Sequence, residues 1–287
     1  MSNSIQMAHA HPVRLAALAL LLLSSTLPAF AQDDTKEVKE QLVVALSSPN
    51  KPGSLEVGLV NGSIQVTGYN GKDVVIDATA RPRKSGRHAD QPAPNGMRRL
   101  SAGTSLNLTA EEKNNRVEIS TESHARAIDL NIKVPQNFSL KISTVNNGNI
   151  TVENVAGEIE VTNVNGSITL NQVSGSALAN TVNGNLLATF KSVKSGVPMA
   201  FSTLNGKVDV TFPNNAKAAL KMKSERGEVY SDFDVEVDKN RPKVTRTNQD
   251  GLYRISTDDW TYGKVNGGGA EVMMKTFNGN IYLRKAK

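Results

Sequence analysis

The chain has 287 residues, a net charge of +6, 38% hydrophobic residues, 5% aromatic residues and no cysteine. The absent cysteines exclude disulfides, an acylated-cysteine lipid anchor and a thiol nucleophile. The mild charge points away from a dedicated nucleic-acid binder and toward loose contact with anionic envelope polymers, and the scarce aromatics suit a stack of small β-branched residues better than a compact α/β enzyme.

The N-terminus reads as a secretory signal peptide. Arg14 precedes an apolar run over residues 15–23, followed by a small-x-small site at Ala29, Phe30 and Ala31. The run is shorter than the about 20 residues a membrane span needs. Cleavage after Ala31 leaves residues 32–287 with a charge of +5, because Arg14 is the only charge removed. The expected location is periplasmic or extracellular, with the mature chain not spanning a membrane.

Residues 32–54 read as a polar leader, a first strand over 41–46 and a Pro/Asn/Gly turn over 49–53. A β-repeat domain is expected over 55–287. Its first turn is Asn61-Gly62, with Gly71 nine residues on and a strand over 74–76. Residues 81–99 break the pattern. Arg81, Arg83, Lys84, Arg87, Arg98 and Arg99 lie among Pro82, Pro92 and Pro94, and proline with like charge disfavours regular structure. This basic loop is the first candidate ligand contact, since clustered cations hold phosphate or uronate groups; a solvated insertion is the alternative. Strands resume over 105–109 and 116–121, and residues 129–134 alternate polar and apolar up to Pro135.

The central array spans residues 142–190. Gly148, Gly157, Gly166, Gly175 and Gly184 stand nine residues apart. The second, fourth and seventh positions after each Gly are apolar: Ile150, Val152 and Val155 in the first unit, Ile159, Val161 and Val164 in the second. A strand of four or five residues plus a turn fills nine positions. Stacked units bury a continuous aliphatic column, which predicts an all-β, parallel β-solenoid. An antiparallel sandwich is the rival, and the less regular part before residue 127 keeps that character open. Asn-Gly turns recur at Asn61-Gly62, Asn147-Gly148, Asn165-Gly166, Asn183-Gly184, Asn205-Gly206 and Asn278-Gly279. Gly reaches positive φ freely and Asn tolerates it, so these residues are predicted structural turns. Residues six after each Gly (Asn154, Asn163, Gln172, Thr181) suggest a polar hydrogen-bonding column. Residues 232–261 form a second interruption. It carries alternating acids at Asp232, Asp234, Glu236 and Asp238, read as a charged edge strand, and the single Trp260 with Tyr253 and Tyr262. That aromatic group predicts either a sugar-stacking platform or an end cap.

With these residues in hand, the chain resembles the bacterial "putative adhesin" family of β-strand-repeat domains, the head-GIN-like adhesin group of unknown function. The matching stretches are residues 129–135 (DLNIKVP), the Val-Asn-Gly-x-Ile rungs, residues 263–269 (GKVNGGG) and residues 275–281 (KTFNGNI). The resemblance covers most of residues 55–284. It implies a parallel β-stack in an exported protein and supplies no catalytic residues.

No catalytic, cofactor or metal site is expected. The calcium-binding nonapeptide GGxGxDxUx needs an Asp that these turns lack. Glycoside hydrolysis needs two placed carboxylates, and Glu158 and Glu160 share a strand face with no partner visible across the stack. Of the histidines, only His88 and His124 follow the signal segment, and no Ser sits in a nucleophile-elbow motif. The leading expectation is an exported, non-enzymatic scaffold or binding module of the cell envelope. Its partner would be an anionic envelope polymer, a glycan or another envelope protein. A carbohydrate-active β-helix enzyme and a structural or sensory periplasmic component are the alternatives.

Overall fold

The computed structural model describes residues 38–81, 106–122, 126–146, 148–239, 244–249, 252–257 and 259–287. A first unit, Met1–Asp33, lies outside these residues, so the fold is that of the second unit, Asp34–Lys287. The described residues hold strands and turns and no helix. In chain order the strands are β1 (Val38–Ala45), β2 (Gly53–Asn61), β3 (Ile64–Tyr69), β4 (Asp73–Ala80), β5 (Leu108–Lys113), β6 (Arg116–Thr121), β7 (Ile128–Pro135), β8 (Phe138–Asn146), β9 (Ile150–Glu153), β10 (Ala156–Asn165) and β11 (Ile168–Asn183). They continue with β12 (Leu186–Val193), β13 (Met199–Asn205), β14 (Val208–Phe212), β15 (Ala218–Arg226), β16 (Val229–Ser231), β17 (Glu236–Val237), β18 (Val244–Gln249), β19 (Leu252–Thr257), β20 (Thr261–Val265), β21 (Glu271–Asn278) and β22 (Ile281–Lys285). Twenty strands join one sheet, and β18 pairs with β19 in a separate hairpin.

The large sheet folds into two ladders. The first runs β5, β6, β2, β8, β10, the second half of β11, β13, β21, β15, β20 and β17. The second runs β1, β4, β7, β3, β9, the first half of β11, β12, β14, β22 and β16. Each coil contributes one strand to each ladder, giving a β-solenoid-like stack. Pairing is parallel through the middle, with Ile150, Ile168 and Leu186 aligned at 18-residue intervals. Antiparallel pairs appear only at the ends of the stack: β1–β4, β4–β7 and β5–β6 at one, β15–β20 and β17–β20 at the other. The antiparallel character expected before residue 127 is thus confined to end strands, while β2 and β3 of that region sit in the parallel stack.

Alternation on each strand sends one set of side chains inward. Ile64, Ile150, Ile168, Leu186, Val208 and Ile281 form one buried column, and Phe190, Phe201 and Phe212 pack edge-on or tilted at 5.2–6.4 Å. The expected third interior column holds on one edge only. Val155 and Val173 are buried, whereas Val164 and Val182 point outward and stay half-buried. The two edges differ because the true structural period is two units, one per ladder.

The Asn-Gly edge is held by three hydrogen-bonded ladders. Asn165, Asn183, Asn205 and Asn278 each donate from Nδ2 to the Oδ1 of the preceding coil's asparagine, at 2.7–3.0 Å, and the first acceptor is Asn146. Three residues before the Gly (four for Thr144), a side chain donates to the Gly carbonyl of the neighbouring coil: Thr144, Asn163, Thr181, Thr203, Thr276 and Ser224. After each Gly, Asn149, Ser167 and Asn185 accept from the next backbone N–H. The polar column expected six residues after each Gly therefore divides. Asn163 and Thr181 join this edge, while Asn154 and Gln172 turn the opposite corner with φ of 55° and 53°. Positive φ explains Gly62, Gly206 and Gly279. Gly148, Gly166 and Gly184 are needed for a reason the whole column shares: a Cβ on each would collide with the carbonyl stacked beside it.

Candidate functional site

The described cavity with the largest volume, about 440 Å³, lies on the outer side of the first ladder. Five strands supply it. Arg116 comes from β6, Ser54 and Glu56 from β2, Ser139 and Lys141 from β8, Glu158 and Glu160 from β10, and Ser176 and Leu178 from β11; Val197 and Pro198 of the β12–β13 connection overhang one end. The registers create two cross-strand rows. One aligns Glu118, Glu56, Lys141, Glu160 and Leu178, and the other aligns Arg116, Ser54, Ser139, Glu158 and Ser176. Alternation places Glu158 and Glu160 outward as the sequence indicates; the partners come from strands up to a hundred residues away, which only the register reveals.

Most of the charge in this trench is paired. Glu56 accepts from Arg116 Nη2 and from Lys141 Nζ at 3.1 Å, and Glu158 accepts from Lys194 Nζ at 3.1 Å. The Lys141 hydrogen bond, with the positive charges of Lys141 and Arg116, holds the Glu56 carboxyl below its usual range. A glycosidase acid requires the opposite shift. Ser176 differs from its neighbours: it is 6% exposed, lines the trench, and its hydroxyl bonds to no described residue. Leu178 beside it is 50% exposed.

Of the cations expected to contact a ligand, Arg83, Lys84, Arg87, Arg98 and Arg99 lie outside the described residues. Arg81 is described and clamps the fold: Nε and Nη2 donate to the two carboxylate oxygens of Asp129, each at 2.6 Å, and Nη2 also reaches Ser63 Oγ at 3.1 Å. That pairing raises the guanidinium pKa above its ordinary value. Trp260 is half-buried with Lys221 Nζ 4.8 Å from its ring centre, and Tyr262 on β20 faces Lys221 across the ladder; the Tyr253 side chain is outside the described set. Of the alternating acids 232–238, only Glu236 falls in a strand, the short β17. His124 also lies outside the described residues.

A second surface cluster, not singled out from sequence, sits on the other ladder. Tyr230 and Tyr282 stack at 5.3 Å, and Asp209 accepts from Arg284 at 2.7 Å and from Lys207 at 3.2 Å. Burial pushes the Asp209 carboxyl up, and the hydrogen bonds and charges of Arg284 and Lys207 outweigh it, leaving the carboxyl below its usual range. Its signal was faint: Tyr230 and Tyr282 occupy the same position of two Gly-x-x-Tyr turns, at Gly227 and Gly279.

Residues 146–261 match the Toastrack DUF4097 family. The Toastrack match starts at the last residue of β8 and ends at the first of β20, so it includes the trench strands β10 and β11 and leaves β2, β6 and the terminal coil outside. A putative cell adhesion protein from Clostridium sporogenes ATCC 15579 is 13% identical, with 88% of this chain and 100% of that one covered and a TM-score of 0.46. A putative adhesin from Bacteroides fragilis NCTC 9343 is 12% identical over 88% and 97%, with a TM-score of 0.39. No curated protein matches the chain.

Proposed function

We infer that this is an exported, non-enzymatic binding module of the bacterial cell envelope. Its array is read as a β-solenoid whose nine-residue strand–turn unit is half a coil. The observation that carries the reading is the trench: a preformed cavity of about 440 Å³ on the rigid middle of a sheet, walled by hydroxyls and mutually paired charges. Cavities of this size suit small ligands or chain segments. The basic stretch 81–99 is proposed as a second, outlying contact for anionic polymer. Capture of envelope components by residues 32–287, compared with the same chain carrying Ser at Arg81, Arg83, Lys84, Arg87, Arg98 and Arg99, tests both. Empty capture by the unaltered protein would sink the binding reading, and unchanged capture by the variant would sink the contribution of the loop.

A second reading, a carbohydrate-active enzyme, is favoured by Glu158 and Glu160 lining one trench. Release of product from a polysaccharide, abolished by Glu158→Gln, would establish it in place of the first.

A further inference from the structure

We propose that the trench on the first ladder is a subsite for a short segment of neutral oligosaccharide. The proposal rests on the binding-module reading and names its ligand class. It begins with Ser176. By alternation this side chain points outward, yet Val197 and Pro198 bring it to 6% exposure, and its hydroxyl bonds to no described residue. Its oxygen still opens into the trench, since Asn163 Oδ1 is the one enclosed side-chain atom without a partner among the described residues, so the hydroxyl stands there as an unbonded donor and acceptor. Glu160, one register row away, lines the same trench and accepts no described hydrogen bond or ion pair. Leu178, Val197 and Pro198 supply an apolar wall beside these two polar groups. A ligand must therefore offer hydroxyl donors and acceptors on one side and a C–H surface on the other, which is the chemistry of a pyranose ring.

Charge and backbone chemistry narrow the class further. The trench lining carries Glu56, Glu158 and Glu160 against Arg116 and Lys141, and Lys194 outside it pairs with Glu158, so it has no excess of cations to select an anion. Its floor strands β2, β8, β10 and β11 are each paired on both sides. An extended peptide recognises a sheet by adding to an unpaired edge, and this floor has none to offer. The rows present one side chain per strand, at the strand spacing of roughly 4.8 Å, and a sugar unit with its glycosidic link advances by a similar length. A saccharide laid across the strands thus meets a new side chain with each residue.

The test is isothermal titration of residues 32–287 with three probes: a neutral β-1,4-linked glucose or N-acetylglucosamine trisaccharide, a uronate trisaccharide, and an extended serine-alanine heptapeptide. Ser176→Ala and Glu160→Gln are compared with Glu153→Gln on the opposite ladder, with thermal melts to verify folding. The expected result is binding of a neutral trisaccharide, weakened about tenfold by Glu160→Gln as one charge-assisted hydrogen bond is lost, weakened by Ser176→Ala, and untouched by Glu153→Gln. Neutral-sugar binding insensitive to both trench variants overturns the proposal. Binding of the uronate or the peptide without the neutral sugar also overturns it and leaves the binding-module reading standing. Binding of none of the probes overturns the saccharide assignment, and the envelope capture then decides separately whether the module binds anything.

Discussion

Asn163 is the odd member of the ladder that donates to the stacked glycine carbonyls. Thr144, Thr181, Thr203, Thr276 and Ser224 fill the equivalent positions with hydroxyls, each satisfied by one such bond. Asn163 donates from Nδ2 to Gly148 O at 3.0 Å, but it is 1% exposed and its Oδ1 has no partner. Asn163→Thr keeps a donor for that carbonyl and removes the orphaned oxygen. An unsatisfied buried polar group costs about 1–3 kcal/mol, and a strand position favours a β-branched residue. The smaller side chain leaves a little space, which gives back up to about 1 kcal/mol. The net expectation is about 1–2 kcal/mol of added stability, or a Tm rise of roughly 2–8 °C for a chain of this size. Urea and thermal unfolding of residues 32–287 measure it, and Asn163→Val separates the hydroxyl bond from the change of shape. A Tm that stays level or falls in the Thr variant, with Val equal to Thr, would refute the account of the ladder.

Gly166→Ala is expected to lower stability by about 1–3 kcal/mol, the usual cost of overpacking, because its Cβ would meet Gly148 O; Gly58→Ala, whose nearest contact is Ser143 Oγ at 3.0 Å, is the milder comparison under the same melt. Asp209 contributes to an acid transition. Its folded pKa is lowered, so its stabilisation is present above the unfolded carboxyl value near pH 4 and is lost as pH falls through the folded value. Melts from pH 6 to pH 2 should show a larger acid loss in the unaltered chain than in Asp209→Asn, and equal losses would contradict the assignment. Ending the chain after Ala270 removes β21 and β22, which lie between β13 and β15 and between β14 and β16. The truncated chain is expected to lose its cooperative melt by circular dichroism, and a native-like transition would show that this coil is dispensable.

The repeat was legible because its demands are local. A nine-residue spacing of Gly with apolar residues at fixed offsets follows from strand alternation, and β6 and β7 were visible for the same reason. Details that depend on stacking were not. The Asn-Gly pattern selects Asn147, yet the ladder uses Asn146, because this coil is one residue longer: Leu140 aligns with Ile159, 19 residues on, against the 18 between Ile159 and Ala177. The glycines read as turn-formers, and each one in the stacked column also lies where a Cβ would strike a neighbouring backbone carbonyl. In residues 266–269, the Asn-Gly-Gly-Gly run is a crossover. It carries the chain from β20 on one side of β15 to β21 on the other, with Asn266 Nδ2 donating to the carbonyls of Asn214 and Ala216 and Gly269 lying tight against the Lys217 backbone. The trench was half legible: Glu158 and Glu160 were placed on one face, Ser176 stands one regular 18-residue step from Glu158, and Glu56 and Arg116 required a stack order that departs from chain order.

That departure rearranges which charges meet. Near one end of the stack the coil β2–β3 is inserted between β6–β7 and β8–β9, and near the other the coil β21–β22 is inserted between β13–β14 and β15–β16. A chain stacking its coils in sequence would bring β6 directly against β8 and align Glu118 with Lys141 and Arg116 with Ser139; the observed order instead sets Glu56 opposite Glu118 and within reach of Arg116 and Lys141. With β2 between them, Glu56 accepts from both. At the other end Asp209 of β14 is bound by Arg284 of β22, whereas direct stacking of β16 on β14 would set Tyr230 opposite Asp209. Individually such half-exposed pairs add little stability. The trench depends on the inserted N-terminal coil, because Glu56 forms part of its charged wall and accepts from Arg116 and Lys141 on the strands at either side.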